Sequence, residues 1–286
     1  MNRSGNDRAG SGVKRELRIG AESEAHRAYL AGLKRQKRRV TALRLAILIG
    51  FILVWEAAAR LGLINDFIFS SPSRVAATVG RLYSSGELFY HIGVTMLETV
   101  LGFTIGTLAG TLLAAAMWWS PTLCRVLDPY MVVLNALPKI ALGPIIICWV
   151  GSGAEAIVAM ALLVSTVVTV MTVLTGFNES SEEKQLLMRT LGATRLQTFK
   201  KVVLPASLPT IISALKLSVG MSWVGVIVGE YLVSRAGLGY LIVYGGQVFK
   251  LDLVMASVAV LCVLAAIMYY AVAALEKRLL KRRGEG

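Results

Sequence analysis

Histidine and cysteine are scarce in this chain, and their scarcity closes most routes to chemistry. Its two histidines, His26 and His91, lie in an N-terminal polar stretch and at the entrance to an apolar run, so they build no joint metal site. Its three cysteines, Cys124, Cys148 and Cys262, are widely spaced and two fall in apolar runs, a pattern of packing residues and not of a zinc site or disulfide framework. No G-x-x-x-x-G-K-[ST] phosphate loop, H-E-x-x-H or G-x-S-x-G occurs. The expectation is a polypeptide that is no enzyme, binds no metal and carries no cofactor of its own.

Acidic residues are also few, 17 against 30 Lys and Arg, which leaves a net charge of +13 over 286 residues. What the chain has in excess is apolar surface. Hydrophobic residues make up 56% of it and its mean hydropathy is +0.66, so most of its length belongs in lipid. A span needs about 20 mostly apolar residues. Six segments qualify, at 42–62, 91–117, 128–150, 155–177, 209–232 and 254–275, the third and fourth separated by a Gly-Ser-Gly turn at 151–153. The predicted fold class is an all-α membrane protein with six transmembrane helices.

The placement of positive charge argues against nucleic acid and for a membrane orientation. Twelve Lys and Arg precede or open the first span, five follow the last, five lie in the polar island 182–205, and Arg125 follows the second span. The opposite side holds Arg74, Arg81, Arg235 and Lys250. This asymmetry is the positive-inside rule, and it predicts cytosolic termini and a cytosolic island. The run Lys34 to Arg39 reads as an orienting signal that touches lipid headgroups. The expected organisation is a basic, disordered cytosolic tail at 1–40, lacking the apolar core of a cleavable signal peptide. A transmembrane domain at 41–276 follows, with a loop at about 178–205, and then a basic cytosolic tail at 277–286.

The island reads EEKQLLMRTLGATRLQTFKKVVLP from Glu182 to Pro205. Ser180 with Glu183, and Thr194 with Gln197, fit capping boxes, and Gly192 suits the left-handed residue that ends a helix. Two short helices are predicted. Leu186, Leu187 and Leu191, then Leu196, Phe199 and Val203, form apolar stripes among Arg189, Arg195, Lys200 and Lys201. A stripe too short to cross a membrane is suited to docking.

Several residues stand out within or beside the spans. Lys139 falls near the middle of the third, where a charge costs on the order of 2.5–3.5 kcal/mol on insertion scales, so it requires water or a partner. Pro138 and Pro144 flank it and predict a broken or bent helix lining a cavity. Lys139 either faces a pathway and favours an anion, or pairs with Glu98 or Glu230. Those carboxylates either serve a proton relay or act in such a pair or at a helix end. Gly102, Gly106 and Gly110 predict close intrachain packing, whereas Gly225 and Gly229 either pack within the chain or meet a second copy of it. Ser71-Pro72-Ser73 opens a short amphipathic helix toward Tyr83 at the outer surface. The glycines of Gly237-Leu238-Gly239-Tyr240 permit a tight outer turn.

The spacing Gly192, nine residues, Val202, one residue, Leu204-Pro205 resembles the loop signature of bacterial binding-protein-dependent ABC importer permeases. The family pattern is Glu-Ala-Ala, three residues, Gly, nine residues, Ile, one residue, Leu-Pro. Here Leu186-Leu187-Met188 stands at the opening triplet. Ser70-Ser71-Pro72-Ser73, the stretch Leu137 to Pro144, and Glu230 followed by Ala236 to Ile242 are similar to the sulfonate, taurine and nitrate branch. The resemblance covers about 65–275.

It implies a type I importer permease in the bacterial inner membrane. Its implied partners are a second permease copy, two ATPase subunits that carry ATP and magnesium, and an extracytoplasmic solute-binding protein. Ser181 to Phe199 is implied as the coupling element, with contacts at Leu186, Leu187, Arg189, Gly192, Ala193, Arg195, Phe199, Leu204 and Pro205. Pathway candidates are Pro138, Lys139, Pro144, Glu98 and Glu230, and Gly237, Gly239 and Tyr240 are candidates for an outer gate or binding-protein contact. The implied solute is a small anion such as a sulfonate, taurine, nitrate or bicarbonate. A thiamine precursor or riboflavin is the alternative within the class. An ion-gradient-driven transporter using Glu98 and Glu230 is the alternative outside it.

Overall fold

Small residues bring three long helices into contact and set the centre of the fold. A computed structural model describes the backbone of residues 7–281 and the side chains of residues 29–278. The described residues are helical throughout, without strands. The chain divides into two units, residues 1–66 and 67–286.

The first unit is dominated by α1 (Asp7–Arg60), of 54 residues. The stretch predicted as an irregular tail over 1–40 is therefore helical from Asp7 onward. The helix of the first span continues through Ala, Leu, Glu, Lys and Arg, strong helix formers that extend an existing helix without a new nucleation step. Residues 1–6 and 282–286, the latter most of the predicted basic C-terminal tail, lie outside the described residues.

In the second unit α3 (Pro72–Ser84) follows the four-residue α2 (Asp66–Phe69). Ser71 caps α3 by accepting from the Arg74 amide at 3.4 Å, with Pro72 in the first turn, as the sequence predicts. Ser70 donates to Asp252 Oδ1 at 2.7 Å and the Arg74 guanidinium reaches Asp252 Oδ2 at 2.9 Å, which fastens this segment to the start of α12 (Leu251–Lys281).

Helices α4 (Glu87–Trp119), α7 (Ala154–Asn178) and α10 (Leu204–Val233) form the core, with α7 between the other two. A Cβ on Gly102 would lie 2.5 Å from Ala161 Cβ, and one on Gly110 would lie 2.7 Å from Thr169 Cβ. From the α10 side a Cβ on Gly225 would meet Ala161 Cα at 2.5 Å, and on Gly229 Ile157 Cα at 2.9 Å. Both glycine faces thus pack on α7 within one chain, the intrachain alternative for Gly225 and Gly229. Backbones pack this closely where lipid supplies no hydrophobic drive and contact must come from van der Waals complementarity. Two hydroxyls on the same faces are paired there: Thr169 pairs with Ser218 at 2.5 Å, and Ser165 donates to the Ala161 carbonyl at 2.8 Å.

Five described helices are long and apolar enough to cross a membrane: Tyr29–Arg60, Glu87–Trp119, Ala154–Asn178, Arg195–Val233 and Leu251–Arg278. The predicted third span is a pair, α5 (Pro121–Ala136) and a 3-10 turn at Lys139–Leu142 leading into α6 (Gly143–Val150), bent by 96°. Pro138 has no amide hydrogen to continue α5, so the predicted break falls there, whereas Pro144 occupies the first turn of α6 and starts a helix.

Candidate functional site

The two ends of α10 carry the residues that matter, and they are built in opposite ways. At the Val233 end, Glu230 is 1% exposed and forms the centre of a closed hydrogen-bond network. Its Oε1 accepts from Thr95 Oγ1 at 2.6 Å and its Oε2 from the Gly239 amide at 2.5 Å. Thr95 Oγ1 in turn accepts from the Leu238 amide at 2.8 Å, and His91 Nδ1 from the Gly237 amide at 2.9 Å. Three amides that open α11 (Leu238–Gln247) are therefore each received by a side chain of α4 or α10. The segment predicted as a tight turn is the start of this ten-residue helix.

Both glycines of the Gly237-Leu238-Gly239 stretch are required by this approach. Gly237 has φ +109°, and a Cβ there would run into the Glu230 carboxyl group. A Cβ on Gly239 would lie 2.7 Å from Glu230 Oε2. Tyr240 stacks on His91 with ring centroids 6.1 Å apart and on Tyr244 at 5.9 Å. Glu98, also buried, lies beside Glu230, and its Oε2 has no hydrogen-bond partner.

Lys139 pairs with neither carboxylate, since its Nζ donates to the Asn135 carbonyl at 3.0 Å. Of the two alternatives for Lys139, the ion pair with Glu98 or Glu230 does not form, because the bend after α5 turns Lys139 back toward its own helix end. There it borders a cavity of about 210 Å³ otherwise lined by apolar groups, among them Met160, Val164, Met221 and Val228. Pro138 and Pro144 shape that bend. Glu98 and Glu230 belong to the α11 network instead.

At the other end of α10 the island folds as α8 (Glu182–Thr190), a turn, and α9 (Arg195–Thr198). Gly192 has φ +75°, the predicted left-handed stop. The second capping box forms as predicted, with Gln197 N to Thr194 Oγ1 at 3.3 Å and Thr194 N to Gln197 Oε1 at 2.8 Å. The first box does not form, because the cap lies one residue later and Lys184 then stands at its third helical position. Ser181 caps α8, while Ser180 is buried and donates to the Phe177 carbonyl, because α7 ends at Asn178 and the chain must turn at once.

The second island helix is also no separate piece. It enters α10 through a π-turn at Phe199–Val203, where Pro205 offers no amide hydrogen and the ladder accommodates a wider turn. Leu204 and Pro205 therefore shape the entry to α10, and Ala193 borders a cavity beside Arg189 and Arg195.

This end is held by aromatic contacts that sequence reasoning missed. The Arg195 guanidinium lies 5.5 Å from the ring centroids of both Trp118 and Trp119 and donates to the Trp118 carbonyl at 3.2 Å. Phe199 packs on Trp118 at 5.0 Å and on Phe177 at 5.4 Å. The adjacent tryptophans at the end of an apolar run were a usable signal. By contrast Leu186, Leu187 and Leu191 are 62%, 58% and 74% exposed, so α8 and its C-cap present apolar side chains that nothing among the described residues covers. A further missed pair is Lys216 with Glu276 at 2.7 Å, joining α10 to α12, where each charge in an apolar helix called for a partner. His91, Thr95 and Glu98 recur at four- and three-residue spacing on α4, a helical face whose meaning only the α11 contacts supply.

These features agree with comparisons to known proteins. The sequence profile described as "Binding-protein-dependent transport system inner membrane component" matches residues 102–281. A probable ABC transporter permease protein of Haemophilus influenzae is 29% identical over 236 residues, covering 82% of this chain and 95% of that protein. The putative aliphatic sulfonates transport permease protein SsuC of Bacillus subtilis is 28% identical over 232 residues, covering 81% and 84%. A chain of the MetNI methionine ABC transporter, solved in inward-facing conformations, superposes with a TM-score of 0.53 at 20% identity, covering 69% of this chain and 94% of that one, a likeness of fold. With the helical core, the bent third span and the Gly192 loop in place, this chain belongs to the binding-protein-dependent transport system inner membrane components, the permeases of ABC transporters.

Proposed function

We propose that this permease passes a small anion, of the sulfonate, taurine, nitrate or bicarbonate kind, from an extracytoplasmic binding protein to the cytosol. Power comes from two separate ATPase subunits that bind ATP and magnesium. A second copy of the permease completes the pathway, and both termini and the island lie in the cytosol of a bacterium, with the spans in its inner membrane.

The observation that carries this reading is the contrast within the island. Its backbone is capped and its base is locked to Trp118 and Trp119, yet Leu186, Leu187 and Leu191 stand out from it uncovered. A rigid base with an exposed apolar face is suited to transmitting the motion of a docked subunit. Gly192 sets the angle between α8 and α9, and Arg189 borders the docking leucines. In the test, tagged full-length chain is purified from native membranes. Wild type retains a nucleotide-hydrolysing subunit, and Leu186→Asp with Leu187→Asp releases it. Retention by the double variant would refute docking through α8.

Lys139 supplies the anion preference. Its ammonium borders the cavity at the bend, with carbonyl partners but no carboxylate. Lys139→Met is expected to reduce anion uptake into vesicles by tenfold or more, about 1.4 kcal/mol per factor of ten, with assembly intact. Normal anion uptake by that variant removes Lys139 from the pathway and favours a neutral heterocycle. Uptake by the purified chain alone, dependent on a proton or sodium gradient, would replace the ABC mechanism with secondary transport.

A further inference from the structure

Three arginines border one cavity at the root of the island. This cavity, of about 570 Å³, is bordered by Arg125 of α5, Arg189 of α8 and Arg195 of α9, together with Asn178, Gln185 and Thr198. None of its lining residues is acidic. Arg195 is partly occupied by the Trp118 carbonyl and the two indole rings, whereas the Arg125 and Arg189 guanidiniums are in no ion pair among the described residues. Glu182 and Glu183 border a neighbouring cavity that shares Arg189 and Gln185, yet neither forms an ion pair with it.

We propose that Arg125, Arg189 and Arg195 form a binding site for a tetrahedral oxyanion, a sulfate, sulfonate or phosphate group. Guanidiniums present planar pairs of donors matched to such oxygens, and amide and hydroxyl groups at Asn178, Gln185 and Thr198 complete a polar lining. The three arginines come from three different helices. A bound oxyanion therefore ties α5 to both arms of the island and stiffens the element proposed to move with the ATPase. The same chemistry has two sources, a dissolved anion or the phosphate of a lipid headgroup. The site needs no ATPase, so it stands or falls separately from the transport reading.

Sulfate is titrated calorimetrically into detergent-purified full-length chain, with chloride at matched ionic strength as control. Saturable sulfate binding is expected, absent with chloride and weakened about tenfold or more by Arg125→Gln and by Arg189→Gln, since each substitution removes charge-assisted hydrogen bonds. Both side chains are exposed, so elution as a single folded species is expected of each variant.

The titration is repeated in nanodiscs of phosphatidylcholine with and without phosphatidylglycerol. Loss of sulfate binding in the anionic discs, with phosphatidylglycerol retained by wild type and shed by Arg125→Gln in native mass spectra, assigns the site to a headgroup. Equal sulfate binding in both assigns it to a dissolved anion. Unchanged affinity in both variants, or equal responses to sulfate and chloride, overturns the proposal. So does an absence of saturable binding, and if Arg125→Gln then also releases a co-purifying ATPase, the arginines serve a protein carboxylate instead.

Discussion

The Glu230 end and the Gly192 end of α10 differ in what completes them. At the first, a buried carboxylate, a threonine and a histidine receive the amides that open α11, and the chain satisfies itself. At the second, the polar groups are capped but the leucines of α8 remain bare. Burial accounts for the first arrangement, because a helix start enclosed by protein, with Leu238 fully buried, has no water to take its amide hydrogens and must find acceptors within the protein. Uncovered leucines on a capped, charged helix make sense where another protein surface supplies the missing contact. One end is finished by folding and the other keeps apolar side chains uncovered.

Substitutions that test this contrast differ in their expected effect on the isolated permease. Gly237→Val is expected to be the most damaging, at about 3 kcal/mol, since it combines a positive φ with a Cβ forced into the Glu230 carboxyl group. A thermal-unfolding midpoint in detergent equal to wild type would show that the Glu230 end is not closed as described. Arg195→Ala should cost about 1–2 kcal/mol in the same assay, through loss of contact with both indoles and the Trp118 carbonyl. The Leu186→Asp and Leu187→Asp double variant should change the stability of the isolated chain by less than about 0.5 kcal/mol, as surface substitutions do, while abolishing assembly. A large loss of stability there would mean the leucines are already packed, and the contrast would fail.

Much of the island could be read in the residues. Gly192 and the Thr194–Gln197 box act through local geometry, so their effect does not depend on what lies across the membrane. The break at Pro138 was legible for the same reason. The Ser180 cap was misplaced by one residue because the end of α7 competes for that hydroxyl, a boundary effect that local patterns resolve poorly. The helical state of the N-terminal stretch was misread from its polarity, although its composition favours a helix once the first span has nucleated one.

What the sequence by itself determined is therefore the membrane character, the apolar segments and the short-range stops and caps, because apolar length, proline and glycine act on their own few neighbours. Only the tertiary structure decided the use of the buried charges and glycines. Glu230 and Gly239 lie nine positions apart, but Thr95 reaches Glu230 and His91 reaches Gly237 from a helix more than a hundred residues earlier. Gly225 meets Ala161 of α7. A polar group or a Cβ-less patch in lipid states that it needs a partner, and which partner it finds depends on which helices the fold brings alongside.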